Sequence, residues 1–333
     1  MAWSKNTTIA EIARHANVSI ATVSRVINQA GNVRPETSAR VLRAMENLHF
    51  EARPPEKPAE PQGRNILLSF PNLQNPFNDG VIRGVYGAAT QNGYDVFVYQ
   101  PGRHRNIVAA YEAIMREQRY AGMILAHTIN DHTALEDLCA RYPIVMCSEH
   151  YKSDTISFVA IDDYASAKTA MSYLLSIGRR KPALINSPLQ FNYATQRERG
   201  YMDVLKGAGI PVNPAWVVHL PEINYNLAVS AATTILRGEQ PPDSFFCVSD
   251  IFAAAVIKAA NNLGYSVPGD IAVVGFDNID IANMMVPSIT TISQPAHQLG
   301  AQACNLLLDQ INGNQNLNTH IILETELVVR GST

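Results

Sequence analysis

Cysteine is scarce in this chain: 333 residues hold four, Cys139, Cys147, Cys247 and Cys304, scattered without a CxxC pair. That spacing matches neither a disulfide framework nor a zinc knuckle, so no metal site is expected. Long hydrophobic runs are missing too. No stretch of 18 or more apolar residues occurs, which excludes a membrane-spanning helix of ordinary length. The opening MAWSKNTTIAEIARHA has no apolar core of the kind a secretory leader needs, and a cytoplasmic location is the expectation. Charge is sparse, at 17% of residues with a net of −3, so the chain as a whole exerts no pull on a polyanion. Catalytic and cofactor signatures are absent: there is no GxGxxG after a strand, no GxxxxGK[ST], no GxSxG elbow and no HExxH. The expectation is a protein that is not an enzyme and carries no cofactor.

What is present is an ordinary globular composition, 47% hydrophobic, in a chain long enough for two or three domains of about 100–200 residues. Its charge is unevenly placed. Residues 1–50 hold six basic side chains (Lys5, Arg14, Arg25, Arg34, Arg40, Arg43) against Glu11, Glu36 and Glu46, whereas 51–333 carry 20 basic and 26 acidic ones. A small basic head on an acidic body is the asymmetry of a nucleic-acid-binding module joined to something else, although such an excess is also common on solvated helices. Between them, EARPPEKPAEPQGR (51–64) has prolines at 54, 55, 58 and 61. Each fixes φ and removes an amide donor, so an extended linker is expected there.

Beyond the linker, short apolar runs alternate with helical periodicities. Strands are predicted at 65–70, 94–99, 122–126, 144–147, 157–161, 183–185, 217–220, 244–248, 271–276 and 321–329. Helices are predicted at 78–92, 107–119, 164–177, 196–207, 226–237, 251–263 and 295–311, some ending at glycines such as Gly93 and Gly264. This alternation implies parallel sheets covered by helices on both faces, and about 265 residues of it exceed one sheet. The expected fold is α/β: a helical head and a body of two doubly wound parallel-sheet subdomains.

Within residues 8–48 the periodicity resolves into three short helices. Ile9, Ile12, Ala13 and Ala16 form one face of the first, and Asn17 tolerates the left-handed conformation that a sharp turn needs. Ser19 can cap a second helix over 19–26, with Val23 and Ile27 buried and Val18 leading in. Pro35 suits the first turn of a third, striped by Val41, Ala44, Met45 and Leu48. Two short helices joined by a tight turn form the DNA-binding helix-turn-helix, whose second helix enters the major groove by its N-terminal end. Here that end presents Ile20, Ala21, Thr22, Ser24 and Arg25. Hydroxyls suit phosphates, Ile20 and Ala21 can touch thymine methyls, and Arg25 can grip guanine O6 and N7. A plain three-helix packing unit would show the same periodicity.

TIAEIARHANVSIATVSRVIN (8–28) resembles the signature of the lactose/galactose repressor family of bacterial transcription regulators, notably at Ala13, Val18-Ser19, Ala21 to Arg25 and Asn28. Further landmarks are NPF (75–77), GVIRGV (80–85), VAIDDYASA (159–167), RERGY (197–201), VPGDIAVVGFDN (267–278) and SITTISQP (288–295). The resemblance implies a head over 1–50, a linker over 51–64 and a body over 65–333 like periplasmic sugar-binding proteins. It places an effector cleft between one lobe of about 64–160 plus 293–321 and another of 161–292 plus 322–329. It adds Thr8, Ser19 and Asn28 to the DNA-contacting set, and it implies a homodimer on a two-half-site operator. The function implied is that of a repressor controlled by a sugar or sugar derivative. GFDNID (275–280), and RPPEKPAEP where the family usually has a short hinge helix, are similar to the family's cytidine repressor. Those features keep a nucleoside effector, and a second DNA-bound regulator as partner, as alternatives. An α/β enzyme and a plain solute-binding protein are the remaining readings.

For the effector, the resemblance singles out Arg197 as a grip for hydroxyl or carboxylate groups, with a surface ion pair to Glu198 or Glu222 as the alternative. Asp277 would accept from hydroxyls at a strand's carboxyl end, or else cap a loop. Phe77 would stack on a ring or simply pack in the core. Asn78 stands where many members have a second aromatic. Ser249 and Asp250 are either ligand contacts or the start of the next helix, and Asn75, Asp79, Ser148, Glu149 and Gln294 are further wall residues. Cys147, His150 and His127 match no standard metal spacing.

Overall fold

The computed structural model describes residues 9–27, 34–48, 63–102, 106–150, 155–313 and 319–333, and the chain divides into two compact units, 1–60 and 61–333. Among the described residues the first unit contains α1 (Ile9–Ala16), α2 (Ile20–Ile27) and α3 (Pro35–Asn47). Ile12, Ala13 and Ala16 of α1 bury against Val23 of α2 and Val41, Ala44 and Met45 of α3, with Val18, Val26 and Leu48 half-buried at the rim. Helical spacing puts these residues on facing stripes. Asn17 turns the chain with φ at 52°. The Ser19 hydroxyl accepts from the Thr22 amide at 3.2 Å, satisfying one of the free donors at the start of α2. The side chains of Ile9 and Ile27, also expected in this core, lie outside the described set.

The second unit alternates strand and helix. β1 (Asn65–Ser69), α4 (Phe77–Gln91), β2 (Asp95–Tyr99), α5 (Ile107–Glu117), β3 (Gly122–Leu125), α6 (His132–Cys139), β4 (Ile144–Cys147) and β5 (Ser157–Ile161) build one lobe. The chain then crosses into α7 (Asp163–Ser176), β6 (Pro182–Asn186), α8 (Asn192–Gly207), β7 (Val217–His219), α9 (Tyr225–Leu236) and β8 (Ser244–Cys247). The second lobe continues with α10 (Asp250–Asn262), β9 (Ala272–Asp277), α11 (Asp280–Met284) and β10 (Thr290–Ser293). It crosses back for α12 (Ala296–Ile311) and β11 (His320–Leu323), and once more for β12 (Glu326–Val328). Among the described residues the sheet orders are β11-β5-β4-β3-β1-β2 and β12-β10-β9-β8-β6-β7, the same doubly wound order twice. All pairings are parallel except β10 with β12.

Both faces of each central strand are covered, which explains their unbroken apolar runs. In the first lobe Ile66, Leu68, Ile124 and Val145 face α4 and α12, while Leu67, Met123, Leu125 and Met146 face Tyr111, Met115, Leu135 and Leu138 of α5 and α6. In the second, α10 is alanine-rich and buried all round, from Phe252 through Ala260 apart from Lys258. α4 and α12 approach unusually closely: a Cβ on Gly84 would lie 2.0 Å from the His297 carbonyl, and one on Gly300 would lie 2.1 Å from that of Val81.

Several expected elements are redrawn. The run 321–329 is two strands in different sheets, because the chain changes lobe at Glu324 and Thr325. β10, α6 and α11 were not foreseen, and α8 begins four residues before the expected Gln196. Among the described residues no helix is long and apolar enough to cross a membrane.

Candidate ligand cleft and DNA-reading head

The carboxyl ends of both sheets point into one cleft of about 560 Å³ within the second unit. Ligands of open α/β sheets bind at these ends, because strand-to-helix loops there can vary without disturbing the sheet. Of the expected wall residues, Asn75, Phe77, Asn78, Ser148, Glu149, Arg197, Asp277 and Gln294 line it. Asp79 does not. It sits on the exposed face of α4 and pairs with Arg83 at 2.5 Å. Ser249 is outside the lining as well; its hydroxyl caps α10 by accepting from the Ile251 amide at 3.3 Å.

Arg197 is 4% exposed, and no surface ion pair forms. Its Nε and Nη2 both reach Asp163 Oδ1 at 2.8 Å, and Nη1 donates to the Val248 carbonyl at 2.8 Å. Nη1 also stands 3.9 Å from Asp277 Oδ1. The guanidinium carbon lies 3.4 Å from the centre of the Phe276 ring and 4.9 Å from that of Tyr193. Glu198, the expected alternative partner, instead binds His219 at 2.5 Å and the Asn186 amide at 2.9 Å.

Asp277 ends β9 with φ at 106°, and Asn278 follows at 58°. Such backbone costs about 1–3 kcal/mol and persists only where neighbours fix it. They do. The Ile279 amide donates to Asp250 Oδ2 at 2.9 Å, Arg330 donates to Asn278 Oδ1 at 2.7 Å, and Asn278 donates to the Ser293 hydroxyl at 3.0 Å. Gln294 then donates to Asp277 Oδ1 at 2.7 Å. Asp250 is thus a fully buried brace, also held by the Thr291 hydroxyl at 2.6 Å, and not a lining residue. Burial pushes its carboxyl up to about 8, with the Asp277 charge adding to the shift. Burial likewise pushes Asp277 up to about 7 against the opposing pull of Arg197.

Glu149 bridges the lobes. It follows β4 of the first lobe, and its two oxygens accept from the Asn192 and Tyr193 amides of α8, in the second, at 3.1 and 3.2 Å. α8 has no side-chain cap of its own, so a carboxylate from across the cleft takes that role. Burial and the nearby Asp163 push Glu149 up to about 8. Phe77 serves both readings, lining the cleft and packing into the core.

Residues not anticipated also line the cleft, among them Asp163, Ser187, Phe191, Tyr193 and Glu222. Asp163 follows Asp162, which caps α7 by accepting from Ala165 at 2.8 Å, and two adjacent acids at a strand end were the available signal. Among the described residues no group of three His, Cys, Asp or Glu side chains is placed to hold a metal. His127 is instead bonded to the Tyr111 hydroxyl at 2.7 Å, and burial pushes the Cys147 thiol up to about 12.

In the head, Ile20 projects into solvent with 57% exposure at the N-terminal end of α2. The Ser19 and Thr22 hydroxyls lie 2.8 Å apart beside it. Ala21, Ser24 and Arg25 belong to α2, but their side chains lie outside the described set, as do Thr8, Asn28 and most of the linker.

A three-helix unit containing a helix-turn-helix, together with a second unit of two doubly wound lobes around a polar cleft, is the architecture of a regulatory protein with a DNA-binding head. Residues 8–52 match bacterial regulatory proteins of the lacI family, and 171–333 match the periplasmic binding protein-like domain. The ribose operon repressor of Halalkalibacterium halodurans is 31% identical over 328 residues, covering 98% of this chain and 97% of that protein. The HTH-type transcriptional repressor CytR of Escherichia coli K12 is 29% identical, covering 98% and 96%. Among solved structures, a complex of the transcriptional regulator CelR with cellobiose superposes with a TM-score of 0.75 at 27% identity, covering 98% of this chain and 100% of that one. The chain belongs to the LacI family of bacterial regulatory proteins.

Proposed function

We propose that this protein is a transcriptional repressor whose operator binding is governed by a small polar effector, a sugar or sugar derivative, held between the lobes. The observation that carries this reading is the buried Arg197–Asp163–Asp277 group at the carboxyl ends of both sheets. Such a group orients a ligand rich in hydroxyls, and the cleft volume falls in the usual range for small-molecule sites. Relatives named for a ribose operon and solved with cellobiose support the sugar class. A nucleoside effector is the second reading, favoured by the aromatic wall of Phe77, Phe191 and Tyr193.

On this proposal Ile20, Ala21, Thr22, Ser24 and Arg25 read the major groove, Thr8, Ser19 and Asn28 contact the backbone or its edge, and residues 51–64 tether the head to the body. A homodimer follows, because one head reads one half-site and a two-fold operator needs two. A ligand that prefers one arrangement of the lobes then shifts how the heads are presented, by its difference in affinity for the two states.

Selection of duplexes from a random pool by the full chain tests the DNA half. The expected outcome is an enriched palindrome whose affinity falls steeply with added salt. Enrichment of no palindrome would overturn the repressor reading. A thermal screen against sugars and nucleosides tests the other half: a ligand at about 100 times its Kd adds about 2.7 kcal/mol, or roughly 5–10 °C for lobes of this size.

A further inference from the structure

The strand ends that line the cleft run in order across each sheet. In the first lobe they belong to β5, β4, β3, β1 and β2, and in the second to β10, β9, β8, β6 and β7. The chain crosses between lobes beyond β5, beyond β10 and between β11 and β12. The crossings therefore stand at one edge of both sheets, with β2 and β7 at the other. Neighbouring strands lie about 4.7–4.9 Å apart, so four spacings make a trough of about 19 Å. A single hexose ring, roughly 5–6 Å across by ordinary bond lengths, fills about a third of it. The Arg197–Asp163–Asp277 group belongs to the crossing edge, where Asp163 follows β5 and Asp277 ends β9. A sugar held there leaves the other end of the trough for a second part of the ligand.

That other end is built differently. The loops after β1, β2, β6 and β7 carry Pro71, Pro101, Pro188 and Pro221, each two residues beyond its strand, and all four line the cleft. Proline fixes φ and has no amide hydrogen to satisfy, so each loop offers a stiff apolar surface. Phe191 and Ile223 line the same end, and Leu73 and Leu189, in the loops of Pro71 and Pro188, are 43% and 49% exposed. The polar side chains of this end brace their own loops. The side-chain oxygens of Asn72, Asn75 and Gln100 accept from the amides of Gln74, Phe77 and Leu73 at 2.8, 3.2 and 3.2 Å. Glu222 accepts from the Asn224 side chain at 3.2 Å. What these residues leave for a guest is mainly apolar surface.

We infer that the effector is a glycoside with a flat apolar aglycone: its sugar meets the Arg197–Asp163–Asp277 group, and its aglycone lies against Pro71, Pro188, Pro221 and Phe191. This rests on the effector reading and narrows it. Pro71 comes from one lobe and the other three from the second, so both faces of a flat ring can be covered. Burying apolar surface is favourable in proportion to its area, and a ring placed on Phe191 gains stacking besides. The stiff loops lose little freedom when the ring arrives, which lowers the cost of binding. A second sugar in the same place would bring hydroxyls to a wall whose acceptors are already engaged, and a buried hydroxyl without a partner is costly.

Matched methyl and phenyl glycosides of glucose, galactose, mannose and xylose, in both anomers, test this on the full chain, beside cellobiose, lactose, cytidine and adenosine. Thermal shift and calorimetric titration at three temperatures measure affinity and heat capacity. For at least one sugar the phenyl glycoside is expected to bind roughly 10- to 100-fold tighter than the methyl glycoside, equivalent to about 1.4–2.8 kcal/mol. Its heat-capacity change on binding should also be the more negative, the mark of apolar surface leaving water. The disaccharides and nucleosides should bind more weakly than that phenyl glycoside. Phe191→Ala and Ile223→Ser should each shrink the phenyl-to-methyl ratio. If either variant fails to fold, the ratio and heat capacities of the unaltered protein still decide.

A phenyl glycoside no tighter than its methyl partner for every sugar that binds would overturn the inference. So would tighter binding of a disaccharide or nucleoside, or silence of every phenyl glycoside at tens of millimolar. A disaccharide or nucleoside that binds best and releases DNA refutes this inference while leaving the repressor reading intact. A phenyl glycoside that binds best without altering DNA affinity does the reverse.

Discussion

Arg197→Met removes the positive centre of the cleft and leaves Asp163 in a 4% exposed position with no compensating charge. Breaking a buried pair from one side costs about 3–5 kcal/mol, because the orphaned charge has lost both water and partner. At roughly 2–4 °C per kcal/mol for lobes of this size, melting of the body should fall by about 6–20 °C. Asp163→Asn in the same chain removes the orphaned charge, so the double variant should be more stable than Arg197→Met alone. The two sites share a contact, and couplings of about 0.5–3 kcal/mol are usual for such neighbours. The deficit should also depend on pH. Burial already holds the Asp163 carboxyl above its ordinary range while Arg197 opposes that rise. Without the arginine it rises further and takes a proton more readily. A carboxyl raised in the folded state stabilises at low pH and loses that contribution as pH rises, so the deficit of Arg197→Met should grow from pH 5 to pH 8. Differential scanning calorimetry on the full chain measures all three. A loss below about 1 kcal/mol, or a double variant no better than the single, would refute the view that the pair is a desolvated, mutually dependent unit.

Three further outcomes are expected. Glu149, Asp250 and Asp277, raised to about 8, 8 and 7, bind protons in the folded state that the unfolded chain has lost. Melting of the ligand-free body should therefore fall as pH rises from about 4.5 to about 8 and level off above, and a flat or rising profile across that window would contradict their burial. Gly300→Ala should destabilise by about 1–3 kcal/mol or more, its Cβ being driven 2.1 Å from the Val81 carbonyl. In contrast, Gly87→Ala on the same helix as Gly84 meets nothing within 4 Å and should stabilise by about 0.5–1 kcal/mol; equal effects in paired melts would rule out close packing of α4 on α12. Arg25→Ala should weaken operator binding by about 1–3 kcal/mol and relax selectivity at one base pair per half-site, as read by competition with single-base operator variants.

The strand and helix alternation of the body and the facing stripes of the head were legible because burial imposes a period. Ile12, Val23 and Val41 meet where helical spacing puts them, and strands such as 144–147 and 157–161 agree with their apolar runs. What escaped depends on partners distant in sequence. α6 and α11 are short, with eight and five residues, and give periodicity little to act on. The 321–329 run reads as one strand because nothing local marks the change of sheet at Glu324 and Thr325. Within the cleft, Arg197, Asp277 and Phe77 were legible through the motifs that carry them. Asp163 was not, because its partner lies 34 residues further on.

The start of α8 shows why the hidden part matters most for control. Helix starts are usually marked by Ser, Thr, Asp or Asn, but Phe191 occupies that position and no local side chain caps the first turn. The missing acceptor is Glu149, 43 residues earlier and on the other lobe. A local capping signal is absent because the cap is a tertiary contact between the two lobes. A movement that parted the lobes would take this acceptor from the amides at the N-terminus of α8. When Glu149 is ionised, above about pH 8, it adds the stabilisation of a negative charge at a helix start, about 0.3–1 kcal/mol when exposed and up to about 2 kcal/mol when partly buried. A strut of that size is strong enough to bias two lobe arrangements and weak enough for a ligand to override, since a shift from one dominant state to the other needs about 5.5 kcal/mol of differential affinity. The residue that joins the lobes at this point also lines the cleft, so its bonds to α8 and the shape of the cleft wall depend on one side chain.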